Sequence, residues 1–156
     1  MRSGIRADDG TMMLGRDLFS RIQSFARDVT LLPMRHTVKL HGVVVGWSDL
    51  EQIEPEVGRA RGRFRPGLGY DLVQPVFRLY SEAVPRADAA ARDEAKLERY
   101  YKSRDALKLE LFDPAGERIP TSTIHIADYS ADEGGSCELD VLIADSSYWE
   151  RRSMTD

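Results

Sequence analysis

Hydrophobic residues recur with a helical period near the start of the chain. They are Leu14, Leu18, Ile22, Phe25 and Val29, at steps of four, four, three and four. Side chains at this spacing share one face of a helix, so the pattern predicts an amphipathic helix over residues 14–29. Residues 1–13 are polar for most of their length, and we expect a disordered leader there. Residues 14–156 are predicted to form a single domain.

A second pattern follows, in which β-branched residues predict the first group of strands. Segments 37–41 and 43–47 are rich in valine, and Gly42 lies between them as a turn or bulge. Segment 58–65 alternates arginine with small or aromatic residues, which predicts a third strand. The first β region is therefore predicted to be a three-stranded meander.

Helical periodicity returns in the middle of the chain. An apolar stripe over residues 72–84 predicts one helix, and Pro75 falls near its first turn, where a missing N–H matters least. A more charged segment over about residues 87–105 predicts a second helix. Together they form a predicted central helical pair. Asp145 is a candidate N-cap for a short C-terminal helix.

The last third of the chain alternates again and predicts three further strands, over residues 107–112, 119–129 and 137–143. Gly42 and Gly116 precede similar β regions at a constant offset along the chain. The sequence therefore predicts an α+β fold with about six antiparallel strands in two meander-like halves. An N-terminal helix, a central helical pair and a short C-terminal helix complete it.

Composition and charge exclude several partners. The net charge is −4, whereas nucleic-acid-binding proteins are usually basic, so nucleic acid is disfavoured. No apolar run approaches the roughly 20 residues that span a bilayer, and no membrane partner is expected. The single cysteine, Cys137, excludes an intramolecular disulfide and favours a reducing, cytoplasmic compartment.

One segment carries four arginines at alternate positions, which we call the arginine face. Its members are Arg59, Arg61, Arg63 and Arg65. Alternate side chains of a strand share one face and are about 7 Å apart. Guanidinium groups arranged in this way suit a carboxylate, a phosphate or an acidic protein surface. The alternative is a solvated face whose charge is balanced by Glu138 and Asp140 on a neighbouring strand.

The candidate catalytic residues are His125, His41 and Asp128. His125 and Asp128 are three positions apart, so in a regular strand they point to opposite faces. The histidines lie in no cluster with the spacing of metal ligands, and the chain has no complete phosphate-loop motif. No metal or cofactor is therefore expected, and ordinary strand histidines are the simpler interpretation.

These observations predict a non-enzymatic intracellular binding or assembly module. Its arginine face would take an anionic ligand or a protein partner. A homodimer is expected from open sheet edges and from four aromatic residues predicted to be exposed. These residues are Trp47, Tyr100, Tyr101 and Trp149.

The alternative function is an enzyme that acts on an anionic small molecule. In that case the turn at Gly67 and Gly69 would help to hold the anion, and His125 or His41 would be the acid–base group. A deep pocket into which the arginines point would favour the enzyme, whereas a flat arginine face would favour the binding module.

Overall fold

The computed structural model describes residues 34–153 of the chain. Within that range it contains nine strands and three α-helices, and the predicted α+β class is confirmed. The structure has more strands than the predicted six because short segments of two or three residues also pair. The predicted leader, the helix over 14–29 and the domain boundary at residue 14 lie outside the described residues.

The strands all pair antiparallel and form two sheets. Their bounds are β1 (His36–Leu40), β2 (Val43–Ser48), β3 (Gln52–Glu54), β4 (Arg59–Arg63), β5 (Arg65–Pro66), β6 (Glu110–Phe112), β7 (Arg118–Ile119), β8 (Thr121–Asp128) and β9 (Cys137–Ile143). One sheet has the order β5-β2-β1-β6-β7 and the other has the order β3-β4-β9-β8. The two halves of the chain are interleaved, since β4 pairs with β9 and β1 pairs with β6.

The predicted central helical pair and the short C-terminal helix are both present. They are α1 (Gln74–Ala83), α2 (Glu94–Leu107) and α3 (Ser147–Ser153). Helix α2 begins where the Asp93 side chain accepts a hydrogen bond from the Lys96 amide, and it ends at Lys108 in the left-handed conformation. Helices α1 and α2 pack against each other, and α1 also packs on β8. None of the helices in residues 34–153 is long and apolar enough to cross a membrane.

The two halves do share one local feature, a glycine turn. Gly42 and Gly116, the equivalent positions noted in the sequence, have φ angles of 83° and 88°. A residue with a Cβ is disfavoured at such angles, so both turns depend on glycine.

One hydrophobic core receives side chains from both sheets and from all three helices. In β9, Leu139 and Val141 are fully buried, as the alternating pattern predicts. Val38 and Val45 of the other sheet belong to the same cluster. Burial of these side chains is the main term that stabilises the domain.

Two of the aromatic residues predicted to be exposed are instead part of the core. Trp149 is 2% exposed and packs against the His36 ring at 5.7 Å. Tyr100 is fully buried among the rings of Phe77 and Tyr80. Their polar sequence neighbours lie on other helix faces, which is why local composition suggested exposure.

His36 is a buried histidine that stays neutral in the folded protein. Its Nδ1 donates to the Met34 carbonyl at 2.9 Å, and Arg152 Nη1 donates to its Nε2 at 2.7 Å. Burial, together with the charge of Arg152, lowers the pKa of His36 from 6.5 to about 4. A proton added to this ring would be poorly solvated and would face a guanidinium.

We expect this histidine to make the protein less stable in mild acid. The unfolded chain takes up the proton near pH 6.5 and the folded chain only near pH 4. The contribution of His36 is therefore complete above pH 6.5 and decreases as the pH falls between these values. At pH 5 the loss from His36 is about 2 kcal/mol relative to pH 7. Urea unfolding at both pH values measures it.

His36→Gln provides the matched variant, because glutamine does not titrate. The difference between pH 7 and pH 5 should shrink in this variant, whatever its absolute stability. An unchanged difference would exclude His36 as the source of the acid sensitivity.

Candidate ligand-binding cleft

A cleft of about 650 Å³ lies on the polar face of the four-stranded sheet. Its floor comes from β4, β8 and β9, and α1 and α2 supply one wall. The lining residues are Val57, Arg59, Arg61, Tyr80, Tyr100, Tyr101, Arg104, Thr123, His125, Ala127, Glu138, Asp140 and Leu142. Alternation places these strand residues on one face, because the residues between them are buried in the core.

The strand register arranges the polar face in three rows that cross the sheet. The first row is Glu54, Arg59, Leu142 and Thr123, the second is Gln52, Arg61, Asp140 and His125, and the third is Arg63, Glu138 and Ala127. Successive rows are two residues apart along each strand, or about 7 Å. The second row therefore places an arginine, a carboxylate and a histidine side by side on the cleft floor.

Three of the four residues of the arginine face lie in β4, and the fourth lies in the other sheet. Arg59, Arg61 and Arg63 share the polar face of β4, whereas Arg65 belongs to β5 in the other sheet and pairs with Asp49 at 3.2 Å. Of the four, Arg59 and Arg61 line the cleft. Phe64 breaks the strand between Arg63 and Arg65, so four arginines in one uninterrupted row are not formed.

Opposite charges partly balance the arginines, as the sequence suggested. Arg59 holds Asp140 with both Nε and Nη2, and the two Nε contacts measure 3.0 and 3.2 Å. Arg61 Nη2 donates to Glu54 Oε1 at 2.9 Å. The bonds and charge of Asp140 raise the pKa of Arg59. Arg59 is therefore held firmly by three hydrogen bonds to Asp140, and Arg61 by one to Glu54.

His125 joins the cleft floor to its aromatic wall. Its Nδ1 makes a short hydrogen bond with the Tyr100 hydroxyl, and the Tyr80 ring meets it edge to face at 4.4 Å. Burial lowers the pKa of His125 to about 4, and the charge of Arg104 acts in the same direction. Burial raises the pKa of the Tyr100 hydroxyl. Both groups are therefore neutral at pH 7.

The other two candidate catalytic residues do not lie at the cleft. His41 is exposed in the turn between β1 and β2. Asp128 is buried on the opposite side of β8, where Tyr70 Oη donates to it at 2.9 Å and Cys137 Sγ at 3.2 Å. The structure thus separates His125 from Asp128, because they point to opposite faces of one strand.

Asp128 is a buried carboxylate that is satisfied by hydrogen bonds. Ser130 donates to Oδ1 through its amide at 3.0 Å and its hydroxyl at 2.5 Å, and Gln74 donates to Oδ2 at 3.2 Å. Burial alone would raise the pKa of Asp128, but the hydrogen bonds from Ser130, Cys137 and Tyr70 outweigh it and lower the pKa to about 2. This network accounts for Asp128 as a structural group.

The turn at Gly67 and Gly69 does not offer free amides to an anion. The Gly67 amide donates to the Val45 carbonyl at 2.8 Å, and the Gly69 amide donates to the Val44 carbonyl at 3.1 Å. Both glycines attach the chain to β2 instead. These two amides are therefore already bonded within the fold and do not support the expected role of the turn in anion binding.

Sequence reasoning missed the helical wall of the cleft. Tyr80 comes from α1, and Tyr101 and Arg104 come from α2. The Arg104 guanidinium lies 5.1 Å from the Tyr101 ring centroid, and its Nη2 pairs with Asp105 at 2.9 Å. The i, i+3 spacing of Tyr101 and Arg104 signals contact within a helix, but nothing local in it indicates that this face meets a sheet.

The chemical groups of the cleft suit noncovalent binding of an organic molecule. Three guanidinium groups, two carboxylates, several aromatic rings and three aliphatic side chains line it. In the part of the chain from residue 34 to residue 153, no three His, Cys, Asp or Glu residues gather as metal ligands.

Comparison with protein-family models, with curated proteins and with solved structures finds no match for this chain.

Proposed function

We propose that this protein binds a small anionic ligand in the cleft over its four-stranded sheet. The observation that carries the proposal is that Arg59 and Arg61 line an open cleft together with a third guanidinium, that of Arg104. The volume of about 650 Å³ falls within the range of small-molecule sites, which is roughly 300–1,000 Å³.

Arg61 is the guanidinium that is best suited to contact the ligand. Among residues 34–153 its ion-pair partner is Glu54, whose side chain is 44% exposed. Such exposed pairs contribute only about 0–1 kcal/mol, so a ligand anion can replace Glu54 at little cost. Arg59 donates three hydrogen bonds to Asp140, so it serves to position that carboxylate and to supply positive charge.

The cleft lined by Arg59 and Arg61 is the feature expected of the enzyme, but the state of His125 favours binding over catalysis. An efficient acid–base group has a pKa near the working pH, whereas the pKa of this ring is about 4. When Tyr100 Oη donates to Nδ1, the proton of the neutral ring is on Nε2, which can then donate to a ligand. His125 is thus assigned a binding role, and the enzyme stays the second hypothesis.

A homodimer and a protein partner stay predictions, and nucleic acid stays disfavoured by the net charge of −4. The proposed compartment is the cytoplasm, on the argument from the single, unpaired Cys137.

The decisive experiment is an NMR titration of the ¹⁵N-labelled full chain with acetate, phosphate and phenylacetate. We expect saturable shifts centred on β4 and β9 for at least one of these anions. Arg61→Gln should weaken that binding roughly 10- to 100-fold, because a charge-assisted hydrogen bond is lost. Glu54→Gln should strengthen it, since it removes the competitor for Arg61.

Arg63→Gln is the matched control, as Arg63 is on the same face of the same strand but does not line the cleft. Its affinity should stay within about twofold of the parent protein. Equal losses in the Arg61 and Arg63 variants would indicate only a general charge effect. If none of the three anions saturates, the proposed function is refuted.

A further inference from the structure

Apolar side chains in the cleft remain exposed despite their charged surroundings. Val57 is 56% exposed, Tyr101 is 43% exposed and Leu142 is 37% exposed, and all three line the cleft. Exposed apolar surface that converges in a concavity is typical of a site that takes an apolar group. An inorganic anion would leave this surface uncovered.

The apolar residues are located at one end of the cleft. Leu142 belongs to the first row, between Arg59 and Thr123. On the helical side, Arg104 borders Thr123 in an adjoining concavity, and Tyr101 contacts Arg104. Leu142 and Tyr101 therefore lie at the end of the cleft that is nearest the first row. Val57, two residues before Arg59 in the sequence, borders the same end. We call these three residues the apolar strip.

The anion contact lies one row further along the sheet. Arg61 is in the second row, about 7 Å from the first along the strand direction. A ligand that uses both features needs an apolar group and an anionic group separated by a short distance. A single ring that carries a carboxylate on a short chain has these dimensions.

The charged residues of the cleft indicate how many negative charges its ligand carries. The lining holds three guanidinium groups, from Arg59, Arg61 and Arg104, and two carboxylates, from Glu138 and Asp140. Because Glu54 and Asp105 also pair with Arg61 and Arg104, little positive charge is left uncompensated. A dianion such as a phosphate monoester would be repelled by the carboxylates on the floor. The lining therefore suits a monoanion.

From these observations we infer that the ligand is a small aryl carboxylate, with its ring on the apolar strip and its carboxylate on Arg61. A ring suits the strip because it stacks on Tyr101 and loses little conformational freedom on binding. The inference rests on the proposed function, since it specifies the ligand class for the same cleft.

Four probes separate the two parts of the inferred ligand in the same NMR titration. Phenylacetate carries both the ring and the carboxylate, acetate carries only the carboxylate, phenylacetamide carries only the ring, and phosphate tests a higher charge. We expect phenylacetate to bind about tenfold or more tightly than acetate, because its ring buries apolar surface. The affinity for phenylacetate should exceed the affinities for phenylacetamide and for phosphate by a similar factor.

Two substitutions test where the ring binds. Leu142→Ser should weaken phenylacetate roughly three- to tenfold and leave acetate unchanged, and Tyr101→Ala should do the same. Leu72→Ser is the matched control, because Leu72 is 62% exposed and does not line the cleft. It should alter the affinity of neither probe.

The outcomes of these titrations distinguish the inferred ligand class from the proposed anion binding. If acetate and phenylacetate bind equally and both depend on Arg61, the aryl inference is wrong while anion binding stands. Tightest binding of phosphate, or phenylacetate binding that is unaffected by Leu142→Ser and Tyr101→Ala, also overturns the inference. If no probe binds, the inference and the proposed function both fail.

Discussion

Replacing Leu139 by alanine should lower the free energy of unfolding by about 2–5 kcal/mol. The Leu139 side chain is fully buried in the core shared by the two sheets. The substitution removes apolar contacts and leaves a cavity. The neighbouring strands cannot move to close it, because hydrogen bonds between the strands hold them in place. Chemical denaturation at pH 7 measures the loss, with the slope of the transition checked for two-state behaviour.

Leu142→Ala is the matched control for this experiment. Leu142 is three positions along the same strand, on the opposite face, and is 37% exposed. The same chemical change there should cost well under half as much, because little contact with the core is lost. Equal losses at the two positions would contradict the assignment of the faces of β9.

Removing the buried carboxylate of Asp128 should also destabilise the protein strongly, by about 2–4 kcal/mol for Asp128→Ala. Its oxygens accept hydrogen bonds from the side chains of Tyr70, Gln74, Ser130 and Cys137. Alanine would leave buried donors without a partner. Thermal or urea unfolding gives the loss.

An acid titration identifies the charge of Asp128 as the cause. The pKa of Asp128 is lowered from 3.8 to about 2 in the folded chain. Its ionised form therefore contributes stability that is complete above about pH 4 and is lost as the pH falls through 2. Asp128→Asn should lose less stability than the parent between pH 4 and pH 2, because asparagine does not titrate. Asp71→Ala, at an exposed carboxylate, should stay within about 0.5 kcal/mol of the parent. An equal loss in the parent and in Asp128→Asn would refute the assignment.

The strands at the floor of the cleft were predictable because strand periodicity is strict. Arginines at alternate positions of β4 imply that Ala60 and Gly62 face the other way, and both are buried. The pairing of an arginine of β4 with Asp140 could also be predicted, because β9 alternates acidic and apolar residues. A pattern of period two fixes which face a side chain occupies even when its partner strand is unknown.

The wall of the cleft could not be predicted, because it depends on tertiary packing. His125 follows Tyr100 by 25 residues, and their hydrogen bond exists because α1 packs on β8 while α2 packs against α1. The burial of Trp149 has the same origin, since its contact with His36 joins the two ends of the described region. Local sequence carries no information on which helix face meets which sheet.

The pairing of β4 with β9 also has a consequence for the biosynthesis of the protein. Asp140 follows Arg59 by 81 residues, so at roughly 5–20 residues per second the ribosome releases β4 several seconds before its partner strand exists. During that interval the strand has an open edge that could pair with another nascent chain. We expect the like charges of the alternating arginines to oppose pairing with such a copy until β9 has been synthesised.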